Sequence, residues 1–105
     1  MSIITNGTPI KATGTGTTSA TATVTGVANT QYIITDISAS SDKAGSIILV
    51  KDGSTTIWQD IVGATSYQHQ LASPLRCSVG NDAIVTIDGT LASKANLAGV
   101  SISVA

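Results

Sequence analysis

The 105 residues suffice for one domain with a single core. A net charge of −1, five Lys or Arg spread singly along the chain and no Glu leave no basic patch, which argues against direct nucleic-acid binding. No run of about 18 apolar residues is present to span a bilayer as a helix, and the single Cys77 rules out an intramolecular disulfide, so stability is expected from packing or from partner subunits.

Thr, Ile and Val supply 37 residues, Phe is absent and Leu occurs five times, a balance that suits pleated strands and disfavours helices. Ser and Thr together number 29; their small hydroxyls can face water from a strand without a charge, which explains how 10% charged residues suffice. The opening residues 1–19 are rich in Thr and Gly, with Asn6-Gly7 and Pro9 as breakers. Ile3, Ile4 and Ile10 are isolated apolar anchors in this background, able to hold either an extended arm or an edge strand, and an N-terminal arm over 1–19 is the expectation. The start of the chain lacks the charged and apolar regions of a secretion signal, so folding in a cytoplasm is expected.

From residue 20 the period becomes two. Ala20, Ala22 and Val24 share one face of a first strand, and Tyr32 to Ser38 form a second around Ile33, Ile34 and Ile37. The central stretch from Ala44 to Asp60 reads as a hairpin: Ile47 to Val50, the positive-φ dipeptide Asp52-Gly53, then Thr55 to Gln59 returning. Ile47 to Val50 is apolar on both faces, which places that strand inside a two-layer structure. Tyr67, His69 and Leu71 alternate with polar residues and end at Pro74, and Leu75, Cys77 and Val79 make the next inward-facing set. Gly80-Asn81-Asp82 turns into Ala83 to Asp88, a second expected hairpin. Thr90 to Asn96 reads as a connection before a terminal strand around Val100, Ile102 and Val104. The expectation is an all-β, antiparallel, jelly-roll-like β-sandwich of seven or eight strands over residues 20–105.

Chemistry is sparse. One His and one Cys fall short of the three or four ligands of a zinc site within one chain, and no Asp-x-Asp loop of the hand type is present. No Gly-x-Gly-x-x-Gly, no Gly-x-Ser-x-Gly and no facing carboxylate pair can be picked out. The expectation is no enzyme, no cofactor and no metal. Asp42, Asp52, Asp82 and Asp88 read as turn carboxylates that bond backbone N–H groups, and Cys77 as buried packing. Trp58 and His69 are the candidate subunit or ligand contacts; core packing for Trp58 and a half-exposed strand position for His69 are the competing readings.

The segments Ala44 to Gly53, Pro74-Leu75 followed by Gly80, Ala83 to Gly89, and Asn96-Leu97-Ala98-Gly99 before a last strand together resemble small jelly-roll head-decoration, or cement, proteins of tailed bacteriophages. That resemblance covers about four fifths of the chain. It implies a homotrimer on the outer surface of a virion head, made in the host cytoplasm, with the major capsid protein as partner and Ile3, Ile4 and Ile10 as the capsid-contact arm. The other functions weighed are a receptor- or glycan-binding fibre or spike module and another tail or connector subunit.

Overall fold

A computed structural model describes residues 7–16, 19–41, 46–62, 66–88 and 93–103, with positions 62, 66–73 and 88 described by their backbone alone. The strands are β1 (Thr8–Gly16), β2 (Ser19–Val24), β3 (Thr30–Ser41), β4 (Ser46–Asp52), β5 (Thr55–Val62), β6 (Ser66–Arg76), β7 (Ala83–Asp88) and β8 (Ser93–Ser103). They form two four-stranded sheets, ordered β1-β8-β3-β6 and β2-β7-β4-β5. Every neighbouring pair is antiparallel.

The pairs β1/β8, β2/β7, β3/β6 and β4/β5 nest around the turn after Asp52. The chain is therefore a long antiparallel ribbon, doubled back at Gly53 and rolled so that successive strands change sheet. This is the jelly roll that the strand spacing predicts. Among the described strands, the β4–β5 hairpin is the one connection between consecutive strands that stays within a sheet. Gly53 makes its turn possible, because its φ of 62° lies where a Cβ is disfavoured.

Period-two alternation puts one face of each sheet into the core. Ala20 and Ala22 of β2, Ile48 and Val50 of β4, and Ala83, Val85 and Ile87 of β7 line one side. Tyr32, Ile34, Ile37 and Ala39 of β3 and Ala95 and Leu97 of β8 line the other. The phase of β3 survives an irregularity between Ile34 and Asp36, where Thr35 is the extra residue against β8.

Several boundaries differ from the sequence reading. Thr8–Gly16 is not a free arm: it pairs over its whole length with β8, from Thr8 opposite Ser101 to Gly16 opposite Ser93. Ile10 packs against the core, and Ile3 and Ile4 lie outside the described residues. The reason is steric. A Cβ on Gly14 would fall on the backbone carbonyl of Thr21, and one on Gly16 on that of Ser19, so these glycines let β1 lie directly against β2 and close that side of the sandwich. Glycine that reads as looseness in the sequence is here a contact between backbones.

β6 runs through Pro74 as one strand, because it is an edge strand and breaks register there: Gln70 pairs with Asp36 and Leu75 with Ile34. The expected hairpin from Val79 into β7 is instead a crossing between sheets, and Val79 is exposed rather than inward. The connection expected over Thr90 to Asn96 ends at Ser93, where β8 begins. β4 lies inside its sheet, between β7 and β5, but the expectation that both of its faces are covered is corrected: its outward residue Ile47 is exposed, so only one face is in the core.

Candidate functional site: the three-loop end

One end of the roll gathers three connections: residues 25–29 between β2 and β3, the β4–β5 turn, and residues 77–82 between β6 and β7. Turn-forming residues build each of them. Asn29, at φ 59°, and Gly80, at φ 86°, occupy left-handed conformations that Asn and Gly tolerate best. The N–H of Thr30 donates to the carbonyl of Val27, and that of Asn81 to Ser78, closing the two longer loops on themselves.

Two carboxylates then tie the loops together. Asp52 accepts from the backbone N–H of Ser78 at 2.9 Å, from the Ser78 hydroxyl at 2.9 Å and from the Asn81 side-chain amide at 3.0 Å. Asp82 accepts from the backbone N–H of Gly26 at 2.6 Å, and its carbonyl receives the N–H of Gly53 at 2.9 Å. Gly80 N–H donates to Thr30 O at 2.8 Å, and Gln31 donates from its amide to Cys77 O at 3.0 Å. A Cβ on Gly26 would fall on the carbonyl of Gly80, so the first and third loops touch backbone to backbone. Below them the Tyr32 hydroxyl donates to Thr25 O at 2.6 Å from a ring that is otherwise in the core.

Burial acts to raise the pKa of Asp52, but the hydrogen bonds from Asn81 and Ser78 together outweigh it, and the carboxyl is held below its ordinary value. Burial is also the larger cause at Cys77, reinforced by the negative charge of Asp52, and pushes that thiol up to about 11. Cys77 is thus a packed, protonated thiol, in line with its reading as packing. Two apolar side chains stand out from this end, Val27 at 55% and Val79 at 46% exposure.

The residues singled out in the sequence are not brought together here. Trp58 is half-buried on β5, in register with Val50, and packs against the core. His69 pairs with Ile37 on β6, in the other sheet. Asp52 and Asp82 do act as turn carboxylates. No group of three or more His, Cys, Asp and Glu that could hold a metal occurs among the described residues. Val27 and Val79 escaped the sequence reading because an apolar residue between turn residues looks like the end of an inward strand face. The flanking Gly26 and Gly80 were the signal that the backbone had already left the sheet.

No protein-family model matches the chain, and no curated protein matches it. Among solved structures, the chain is similar to Aeromonas hydrophila PliG, a periplasmic lysozyme inhibitor of g-type lysozyme, at 9% identity over 97% of this chain and 93% of that one, with a TM-score of 0.42. It is similar to PirA at 12% identity over 93% of this chain and 99% of that one, with a TM-score of 0.43. Likenesses at this level carry no residue across.

The expected head-decoration function is corrected on these findings. No family model matches the chain to a bacteriophage virion protein, and the arm assigned to capsid contact is, over Thr8–Gly16, a paired strand of the sheet. The segments that carried the resemblance are strands and turns that the jelly roll itself requires.

Proposed function

We propose that this chain is a non-catalytic protein-binding module whose contact surface is the three-loop end, with Val27 and Val79 as its apolar centre. The observation that carries the reading is the triple hydrogen bond from the third loop to the Asp52 carboxylate. Loops that order only on binding lose part of their interaction free energy to that ordering, at about 1 to 2 kcal/mol per residue of backbone fixed. Here the ordering is completed in the folded chain, by carboxylates and by glycines that permit close approach. Such a platform presents two exposed valines in a fixed relation, as a binding surface requires and a mere connection does not.

The test is a binding comparison from extracts of the source cells, with the wild-type chain, a Val27→Asp/Val79→Asp double variant and a Thr15→Asp control as baits. Thr15 is exposed on β1, opposite Lys94 at the other end of the roll. A partner held by the wild type and the control but reduced at least tenfold on the double variant is the expected result. A partner held equally by all three baits would show that the loop end is not the contact surface.

A further inference from the structure

The turn of the central hairpin carries a reactive dipeptide. In an Asp-Gly pair the glycine nitrogen, with no side chain beside it, can attack the Cγ of the aspartate. A C–N bond forms, a carboxyl oxygen leaves as water together with the nitrogen's proton, and a five-membered succinimide results. Water then opens the ring. Addition at Cγ restores aspartate, whereas addition at the main-chain carbonyl breaks the original peptide C–N bond and leaves isoaspartate, with the backbone longer by one methylene. The chain holds two such pairs, Asp52-Gly53 and Asp88-Gly89.

At Asp52-Gly53 both reacting groups are held. The Gly53 N–H donates to the carbonyl of Asp82 at 2.9 Å. Both carboxylate oxygens of Asp52 are engaged by the third loop, one by the Ser78 N–H and the Asn81 amide, the other by the Ser78 hydroxyl. Asp52 also ends β4 and pairs with Thr55 on one side and Ala83 on the other, so its backbone cannot turn the side chain over the next nitrogen without breaking those pairs. Burial raises the pKa of Asp52, but the Asn81 and Ser78 hydrogen bonds outweigh it and favour the ionised carboxylate, whereas the loss of water proceeds from the protonated acid.

We propose that Asp52-Gly53 is a latent self-modification site: the grip of Ser78 and Asn81 on Asp52 blocks ring closure in the folded chain, and lifting of the third loop releases it. Local opening of a loop needs far less free energy than unfolding of the core, so the rate of modification follows the open fraction of this loop. Isoaspartate then moves the carboxylate away from Ser78 and Asn81, because the added methylene changes its position relative to β4. A transient opening is thereby recorded in the covalent chain, and the loops lose the bonds that order them. No partner at the loop end is needed, so the inference stands apart from the binding reading.

Prolonged incubation at mildly acidic pH tests this, with isoaspartate at each position read by electron-transfer fragmentation, which cleaves the two backbones differently. The samples are the folded wild type, the wild type unfolded in guanidinium chloride, Ser78→Ala/Asn81→Ala and Val85→Ala. Asp88-Gly89 in the unfolded chain is the standard for an unprotected pair. Folding is expected to slow conversion at Asp52 at least tenfold, and the Ser78→Ala/Asn81→Ala variant to convert at least threefold faster than the folded wild type. Val85 is a core residue; Val85→Ala weakens the fold without touching Asp52 and gives the acceleration that global unfolding alone produces, which is expected to be smaller. A folded wild type that converts at the unfolded rate overturns the proposal, as does an unfolded chain that spares Asp52. A Ser78→Ala/Asn81→Ala variant no faster than Val85→Ala also overturns it, since ring closure would then wait on unfolding of the whole chain.

Discussion

Asp52 and Ser78, 26 residues apart, are joined twice, once through the serine backbone N–H and once through its hydroxyl, each at 2.9 Å. The pair fastens the turn of the central hairpin to the crossing between β6 and β7, so the point where the ribbon doubles back is also the point where its loops are held.

Replacing Asp52 with Ala removes three acceptor contacts and leaves the Ser78 N–H and the Asn81 amide to water. Because the site is largely solvated, the expected loss is about 1 to 2 kcal/mol, read from urea unfolding, with Asp52→Asn losing less because it keeps one acceptor oxygen. The pH dependence follows from the lowered pKa. A carboxyl held below its ordinary value of 3.8 contributes stability that is fully present above that value and disappears as pH falls through the folded-state value. The acid limb of a stability profile is expected to be shallower in Asp52→Asn than in the wild type; superimposable limbs would remove Asp52 as the cause.

The jelly roll was legible because its signals are local. Alternation at Ala20, Ala22 and Val24 and at Val85 and Ile87 marks core faces, and Asp52-Gly53 marks the central turn. Which strands pair is a long-range fact, and there the reading failed in instructive ways. Gly80-Asn81-Asp82 has the composition of a hairpin turn but connects two sheets, since nothing local records whether the next strand returns beside the last. Gly14 and Gly16 read as flexibility because the backbone they touch, at Thr21 and Ser19, is visible only in the fold. The loop-end residues had been noted as turn formers, yet their convergence depends on two crossings and one hairpin turn that no single segment encodes.

Tyr32 couples the core to that end. Its ring is buried, and its hydroxyl donates to Thr25 O at 2.6 Å. Tyr32→Phe keeps the ring and strands the carbonyl, with an expected loss of about 1 to 2 kcal/mol in thermal or urea unfolding. Hydrogen exchange should localise the effect, with amides of residues 25–30 exchanging faster while those of β7 are unchanged; a uniform increase across both would contradict a local tie.

Cys77 is 1% exposed, and its thiol is pushed up to about 11, first by burial and then by the charge of Asp52. At pH 8 only about one molecule in a thousand carries the reactive thiolate even before access is considered. Alkylation of the native chain is expected to proceed no faster than unfolding exposes the thiol, and to accelerate in proportion to the unfolded fraction as urea is added. Stoichiometric labelling within seconds under native conditions would contradict the packed position.

The closed side of the roll gives the sharpest contrast between two glycines. At Gly14 the backbone is extended and any residue could adopt it, but an added Cβ would fall on the Thr21 carbonyl, which belongs to the opposite sheet and has no rotamer with which to move away. At Gly80 the space around an added Cβ is open, and the obstacle is the φ of 86°. Gly80→Ala is therefore expected to lose only the left-handed penalty, about 1 to 2 kcal/mol. Gly14→Ala must separate β1 from β2 or break the β1–β8 ladder, with an expected loss of about 3 kcal/mol or more. Thermal unfolding ranks the two. Hydrogen exchange then gives the location: Gly14→Ala should expose amides of β1 and of its partner β8 while sparing the β4–β5 hairpin, since the strain lies at the edge where the sheets meet. Equal losses in the two variants would mean that β1 tolerates displacement from β2, and that the sandwich is not closed by contact between these backbones.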